Sequence, residues 1–195
     1  MRTKTICYFI LALFIIVAIA CGDSDDEGAN QLKKPTTQTK ETGEEIIVPE
    51  EEEVIDFAAE EAAIRGLYIS HAAAISGKGA DEIMEHWIQR NTKDVFMTQC
   101  VLGAVTILEK WKGIKDSWVP TFQLLGGQPK MTVTIAKVGI DKRGQEATLS
   151  GNYNWGGIVG KSIAAFEKDK KGNWKIRAID LCEQNLIKEI QTPQK

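Results

Sequence analysis

The chain has 195 residues, of which 43% are apolar and 26% are charged, and its formal net charge is −3. This length accommodates one domain of ordinary size together with segments outside it. The balanced composition excludes a wholly disordered chain and a protein that crosses a membrane many times. Because the basic residues are scattered rather than clustered, the sequence predicts no nucleic-acid partner.

The first twenty residues have the pattern of a signal peptide. Two basic residues, Arg2 and Lys4, precede fifteen apolar residues from Ile6 to Ala20. As a helix this run would rise about 22 Å, which is less than the roughly 30 Å of a bilayer core. A basic start, a short apolar region and small residues before Cys21 are typical of an exported protein.

The end of this segment, Ala18-Ile19-Ala20-Cys21, resembles the lipobox of bacterial lipoproteins. The resemblance implies cleavage before Cys21 and acylation of that cysteine. Several acyl chains on Cys21 would anchor the protein stably to a membrane of the bacterial cell envelope without spanning it. The alternative is an uncleaved or ordinarily cleaved signal peptide in which Cys21 is incidental.

The next segment is predicted to be an acidic, disordered tether. It contains eleven Asp and Glu and three Lys, a net charge of −8. Such a segment buries too little apolar surface to offset the entropy lost on ordering. The chain therefore divides into a signal peptide (1–20), a tether (21–53), a folded domain (54–185) and a C-terminal tail (186–195).

The folded domain is predicted to begin with helices. Apolar positions and one histidine recur at helical spacing from Ile64 through His71 to Ile75, which indicates a long amphipathic helix that ends near Ser76. A shorter helix is expected to begin near Asp81, because Asp favours the first turn.

A short strand and a third helix are predicted next. Residues 94–97 have the composition of a strand, and residues 104–118 return to helical spacing, with Val105 and Leu108 on related turns. Pro120 is expected to mark the end of this third helix.

Beyond Pro129 the apolar residues alternate with polar ones, which predicts strands. Four strands joined by short turns are expected at residues 130–140, 145–155, 158–168 and 173–181. Strands at this spacing favour an antiparallel meander. The predicted fold class is α+β, with three N-terminal helices packed on one face of a curved antiparallel sheet.

The order of these elements resembles the SnoaL-like branch of the nuclear transport factor 2-like superfamily. The strings that carry the resemblance are EEAAIRGLYISHAAAISGKGADEIMEHW, DVFM followed by GAVTILEKW, and KDKKGNWKI. The resemblance covers about Val54 to Glu183 and implies a cone-shaped domain. It also implies a homodimer through the open sheet face, and enzymes of the superfamily, such as ketosteroid isomerases and SnoaL-like cyclases, use Asp, His or Tyr inside the cone.

One histidine and one aspartate are candidates for catalysis. His71 shares its helix face with Tyr68 and Leu67, and Asp180 shares its strand face with Trp174 and Ile176 because strand side chains alternate with a period of two. Facing each other in an apolar cone, they would form an acid–base pair. The alternative is a core histidine and a capping or turn aspartate.

Four apolar or aromatic residues are candidates for lining a ligand pocket: Leu67, Tyr68, Trp118 and Trp155. Aromatic walls with a few polar groups are typical of small-molecule cavities. The same spacing is equally typical of residues in a plain hydrophobic core.

Metals and cofactors are not predicted. The chain has two histidines without a partner at metal-ligand spacing, so no metal site is expected. The string WGGIVGKS lacks the first glycine of a phosphate-binding loop, so no nucleotide cofactor is expected either. Cys100 and Cys182 either pair as a disulfide in an exported protein or remain two separate buried thiols.

Three functions remain open from the sequence. The favoured one is a noncatalytic envelope protein that binds a small apolar ligand or a protein partner, because no catalytic spacing is visible. The second is an isomerase, cyclase or hydratase acting through His71 and Asp180. The third is a structural component of the envelope.

Overall fold

The structure is a computed structural model that describes residues 54–101 and 103–193. The predicted signal peptide, the tether and the acylation site at Cys21 lie outside the described residues. In chain order, the elements are α1 (Phe57–Ile75), α2 (Ala80–Met84), β1 (Phe96–Val101), β2 (Ala104–Glu109), α3 (Trp111–Leu124), β3 (Met131–Ile140), β4 (Glu146–Trp155), β5 (Ile158–Lys168) and β6 (Trp174–Asp180).

Helix α1 is capped by a side chain at its start, and a serine hydroxyl at its end hydrogen-bonds to the sheet. Asp56 accepts hydrogen bonds from the backbone N–H groups of Ala58 and Ala59, both at 3.1 Å, which satisfies donors that the first turn leaves free. At the other end, the backbone N–H of Met131 donates to Ser76 Oγ at 2.8 Å. The helix is thereby fixed to the first residue of β3, and its buried face packs against the sheet.

The six strands form one curved, mixed sheet with the order β2-β1-β6-β5-β4-β3. Neighbouring strands are antiparallel except β1 and β6, which pair in parallel. The α+β class is confirmed, but the expectation of a wholly antiparallel sheet is wrong. A parallel pair needs a long crossover connection, and here the whole chain between β1 and β6 provides it.

Residues 104–109 form the edge strand β2, so the prediction that they begin the third helix is wrong. Val105, Thr106 and Ile107 are β-branched, which favours an extended backbone. The prediction that Pro120 ends the third helix is also wrong, because α3 continues to Leu124. Pro120 is exposed, so water can replace the backbone hydrogen bond that a proline removes from a helix.

The string WGGIVGKS forms a β-hairpin between β4 and β5. Its turn residues, Gly156 and Gly157, have φ values of 60° and 91°. A two-residue hairpin of this kind requires positive φ at both central positions, which glycine adopts without strain.

The two faces of the sheet have different environments. We call the face that packs on the helices the inner face and the opposite one the outer face. Phe166 and Ala164 of β5 belong to the large core beneath the helices, whereas Ala165 belongs to a small separate cluster with Ala178 and Ile187. Because neighbouring strand residues point to opposite sides, this second cluster lies on the outer face.

A β-bulge in β6 reverses the alternation of its side chains. Ile176 pairs with Phe166 and Ala178 pairs with Ala165, so Arg177 has no partner on β5. A bulge residue of this kind shifts the pattern by one position. Ile176 therefore points to the inner face, whereas Ala178 and Asp180 point to the outer face.

The C-terminal segment lies against the outer face. Ile187 is buried in the outer cluster, and the backbone N–H of Ile190 donates to Thr148 Oγ1 of β4 at 2.8 Å. Thr192 Oγ1 accepts from the backbone N–H of Ile140 in β3 at 3.0 Å. Residues 187–192, which the sequence analysis assigned to a tail, thus cover part of the sheet face that a homodimer was expected to use.

Candidate functional site

His71 lies on the inner side of the domain, inside an aromatic cluster. Its ring centroid is 5.7 Å from that of Trp87, 6.4 Å from that of Trp118 and 5.6 Å from that of His86. Its side chain is 1% exposed, and neither ring nitrogen has a hydrogen-bond partner among the described residues.

This environment keeps His71 uncharged. Burial, assisted by the nearby charge of His86 and opposed in part by the Ile83 carbonyl, lowers the pKa of His71 to about 3. Removing a histidine from water disfavours its cationic form. Near neutral pH His71 is therefore a neutral ring that is available for packing and hydrogen bonding.

Asp180 lies on the other side of the sheet. Its Oδ1 atom accepts hydrogen bonds from Thr98 Oγ1 at 2.7 Å and from the backbone N–H of Cys182 at 3.0 Å. Thr98 is the residue that pairs with Asp180 across the parallel β1–β6 ladder. Since Asp180 faces outward and His71 lies beneath the helices, the structure does not bring the predicted acid–base pair together.

The residues expected to line an apolar pocket pack against one another in the inner core. Trp118 contacts Trp155 edge to face, with ring centroids 6.3 Å apart, and its Nε1 lies 3.4 Å from Met84 Sδ. Tyr68 packs edge to face on Phe166. These side chains fill the interior as a plain core would.

The Tyr68 hydroxyl is one of the polar groups of this interior. Burial raises the pKa of Tyr68 to about 12, although the Ser162 hydroxyl partly offsets the increase. Neither hydroxyl completes a hydrogen bond of normal geometry within the described part of the chain. Leu67, the fourth predicted pocket residue, is half-buried at the edge of the same core.

A cleft of about 710 Å³ opens beside α2 and the turn between β5 and β6. We call it the tryptophan cleft because Trp87 and Trp111 line it, together with Met84 and Ile88. The Nε1 atoms of both tryptophans lack hydrogen-bond partners among the described residues. The cleft thus has apolar and aromatic walls, as small-molecule sites commonly do, and both indole Nε1 atoms lie buried behind its surface.

Backbone pairing with β6 holds one wall of the tryptophan cleft in place. The backbone N–H of Ile88 donates to the carbonyl of Ile176 at 2.9 Å, and the N–H of Ile176 donates to the carbonyl of His86 at 2.8 Å. Trp87 is therefore fixed between two hydrogen bonds to the sheet. The opposite wall is Trp111, the first residue of α3, with Lys115 Nζ 5.2 Å from its ring centroid.

The rim of the tryptophan cleft is charged but balanced. Its three carboxylates and three lysines are Asp81, Glu85, Asp169, Lys170, Lys171 and Lys175. Asp169 lies in the β5–β6 turn, where hydrogen bonds led by that from the Asn173 backbone lower its pKa. A balanced rim selects neither cations nor anions, so ligand recognition would depend on the tryptophan walls.

Spacing alone did not identify this cleft. Trp111 falls within the predicted third helix at residues 104–118, but the cleft also needs Trp87 and the β5–β6 turn, which is about sixty residues beyond Trp111 in the chain. The available signal was the presence of the two tryptophans, and it did not indicate that they face one space.

Cys100 and Cys182 are joined by a disulfide with an S–S distance of 2.05 Å and a Cα–Cα distance of 5.6 Å. The bond links β1 to the segment that follows β6. Among the described residues, no group of three His, Cys, Asp or Glu side chains is placed to hold a metal ion, and no helix is long and apolar enough to cross a membrane.

Comparisons with known proteins identify the fold. No protein-family profile matches the chain, and no curated protein matches it. A solved NTF-2-like protein of unknown function from Shewanella oneidensis is similar, with a TM-score of 0.50 and 14% identity over 62% of this chain and 96% of that chain.

Two further solved structures have folds similar to that of this domain. An NTF-2-like protein of unknown function from Silicibacter pomeroyi has a TM-score of 0.50 and 12% identity over 65% of this chain and 97% of that chain. A domain of unknown function with a cystatin-like fold from Nostoc punctiforme has a TM-score of 0.50 and 14% identity over 63% and 75% of the respective chains. The domain therefore has an NTF-2-like α+β fold, and likeness at this identity describes the fold alone.

Proposed function

We propose that this protein is a lipid-anchored component of the bacterial cell envelope whose SnoaL-like domain binds a small, largely apolar ligand without catalysis. The observation that carries the proposal is the tryptophan cleft, whose walls include Trp87 and Trp111. Their Nε1 atoms are buried and have no hydrogen-bond partner among the described residues. Buried donors normally have partners, so we infer that the indole of Trp111 turns towards a ligand with a hydrogen-bond acceptor and donates to it.

The noncatalytic role is supported by the separation of the two predicted catalytic residues. The isomerase alternative requires His71 and Asp180 to share one cavity, but the bulge at Arg177 directs Asp180 away from the helices. A general base must reach the proton that it transfers. His71 is surrounded by aromatic rings, and its neutral state near pH 7 suits packing more than proton transfer.

A binding experiment tests the tryptophan cleft. Nile red, a neutral apolar dye with a carbonyl acceptor, is titrated into the protein while its fluorescence is recorded. Trp111→Phe keeps the aromatic wall but removes one donor, so we expect the dissociation constant to rise about fivefold, the equivalent of one neutral hydrogen bond of about 1 kcal/mol. Leu124→Ala, on an exposed position of the same helix, is the matched control and leaves binding unchanged. Equal affinities of Trp111→Phe and the unaltered protein would contradict the proposal.

The lipid anchor rests on the resemblance of residues 18–21 to a lipobox and on the acidic tether that follows. Intact-mass spectrometry of protein purified from its membrane is expected to show a chain that begins at Cys21 and carries added acyl mass. The Cys21→Ala variant should lack this species. A chain that keeps its first twenty residues, or one cleaved without lipid, refutes the anchor.

We propose a second copy of the chain as the protein partner, with the contact at β2 rather than through the sheet face that residues 187–192 partly cover. β2 is an edge strand, and its outward residues Val105 and Ile107 are 51% and 52% exposed. Edge strands with apolar side chains pair readily with other strands. Sedimentation is expected to show a dimer that the V105K/I107K double variant dissociates, and a monomeric parent protein would refute this partner.

A further inference from the structure

The outer face carries a second cleft, of about 420 Å³, between the sheet and the C-terminal segment. We call it the acidic cleft. Residues of the strands form its floor, and the chain after β6 forms its other wall. Its polar lining residues include Asn152, Lys161, Asp180, Glu183, Asn185 and Glu189. This site is separate from the tryptophan cleft, which lies on the opposite side of the sheet.

Asp180 is the residue that indicates a ligand. Its side chain is 1% exposed, and its Oδ1 atom is occupied by Thr98 and by the backbone of Cys182. Its Oδ2 atom has no hydrogen-bond partner among the described residues. A carboxyl oxygen that is removed from water and left without a partner is costly, so a donor or a positive charge at this atom would stabilise the folded protein.

The charges around Asp180 favour a cation. Three lining residues are carboxylates, namely Asp180, Glu183 and Glu189, whereas Lys161 is the one basic residue of the lining. Lys161 Nζ already lies 3.5 Å from Glu183 Oε2, and such exposed pairs are weak. The lining therefore has a net charge of −2 that is not compensated within the cleft.

The backbone that carries this wall is held in an unusual conformation. Glu183 and Asn185 have φ values of 51° and 56°, in the left-handed region that residues other than glycine seldom adopt. Strained backbone of this kind is found disproportionately at binding sites. The backbone strain agrees with a binding site in the acidic cleft, but the proposal rests on Asp180 and the charges around it.

We propose that the acidic cleft binds small organic molecules that bear a primary ammonium group. An ammonium group has one positive charge and three donors with no acceptor, which complements a cleft of carboxylate and amide oxygens. A metal ion is disfavoured, because no three ligating side chains converge among the described residues. The ammonium group pairs with Asp180, and the rim carboxylates of Glu183 and Glu189 add longer-range attraction.

The test uses ethanolammonium chloride as the probe and ethylene glycol as a neutral molecule of similar size. Each is titrated into the ¹⁵N-labelled protein at neutral pH, and backbone amide shifts are recorded. We expect saturable shifts with ethanolammonium at residues such as Asn152, Lys161 and Glu183, and none with the glycol. Shifts of equal size with both probes, or saturable shifts located elsewhere, would overturn the proposal.

Four variants complete the test. Asp180→Asn keeps the Oδ1 acceptor but removes the charge, and is expected to weaken ethanolammonium binding at least tenfold. If that variant fails to fold, Glu189→Gln at the exposed rim provides the second measurement, with an expected weakening of about threefold. Glu146→Gln, an exposed carboxylate on the same sheet but outside the cleft lining, is the control and binds normally. Unchanged affinity in both cleft variants refutes the site. Trp111→Phe is expected to bind ethanolammonium normally, so failure of the tryptophan cleft is distinguishable from failure here.

Discussion

Acidification is expected to destabilise the domain through His71. Its pKa is about 3 in the folded protein, whereas the ordinary pKa of a histidine is 6.5. A histidine with a lowered pKa in the folded state contributes full stability above pH 6.5 and loses that contribution progressively as the pH falls towards 3, because the unfolded chain binds the proton more readily. The unfolded state is therefore favoured increasingly as the pH falls below 6.5.

The size of the effect follows from the same two values. Each pH unit between them changes the free energy of unfolding by up to about 1.4 kcal/mol. Between pH 7 and pH 5 the contribution of His71 falls by about 2 kcal/mol, and well below pH 3 the total loss approaches about 5 kcal/mol. A loss of this size is a large fraction of the stability of a typical domain.

Urea unfolding at pH 7 and pH 5 measures this loss. The unaltered protein should lose about 2 kcal/mol more on acidification than His71→Leu, in which no proton can bind at this position. All other titrating groups are shared, so their effects cancel in the comparison. His86→Gln is the matched control and should retain most of the pH dependence. If His71→Leu and the unaltered protein lose equal stability, His71 is not the buried neutral group that the structure indicates.

Two further predictions concern stability. Replacing Cys100 and Cys182 by Ala opens a loop of 82 residues and should lower the free energy of unfolding by about 4.5 kcal/mol on the chain-entropy estimate; a loss below about 1 kcal/mol in urea titrations would contradict it. A Cβ at Gly139 would lie 1.7 Å from the carbonyl oxygen of Ile190, so Gly139→Ala should displace the C-terminal segment and speed its removal by protease. Gly66→Ala is the control, because Gly66 lies in the middle of α1 and an added Cβ would meet no atom within 4 Å. This variant should raise the melting temperature slightly. Identical proteolysis of the Gly139→Ala and Gly66→Ala proteins would refute the predicted displacement of the C-terminal segment.

The parts of the fold that the sequence predicted well are those with a clean period. The first helix shows regular burial from Ile64 to Ile75, and each of the last four strands is at least seven residues long. β2 lacks this signal because nearly all its residues are exposed at the edge of the sheet. Because neither face of β2 is buried, apolar and polar residues do not alternate along it. The apolar Val105 and Leu108 matched helical spacing by coincidence.

The candidate sites were harder to predict because they depend on contacts between distant segments. The pairing of His71 with Asp180 assumed unbroken alternation along β6, and a bulge at Arg177 leaves no clear trace in a single sequence. The tryptophan cleft depends on the β5–β6 turn, and the acidic cleft depends on the C-terminal segment folding back. Residue spacing within one helix or strand indicates neither the position of a distant turn nor the path of the C-terminal segment.

The bulge in β6 decides which side of the sheet the residues after it face. Deleting Arg177 would remove the extra residue and leave Asp180 opposite Ile163 on the outer face. A strand that kept Arg177 and paired it regularly would instead turn Asp180 towards the aromatic interior, and would turn Ile179 and Leu181 towards the outer face. On this scaffold, a domain with its carboxylate outside and one with an acid beside His71 differ by the pairing of one residue rather than by their composition.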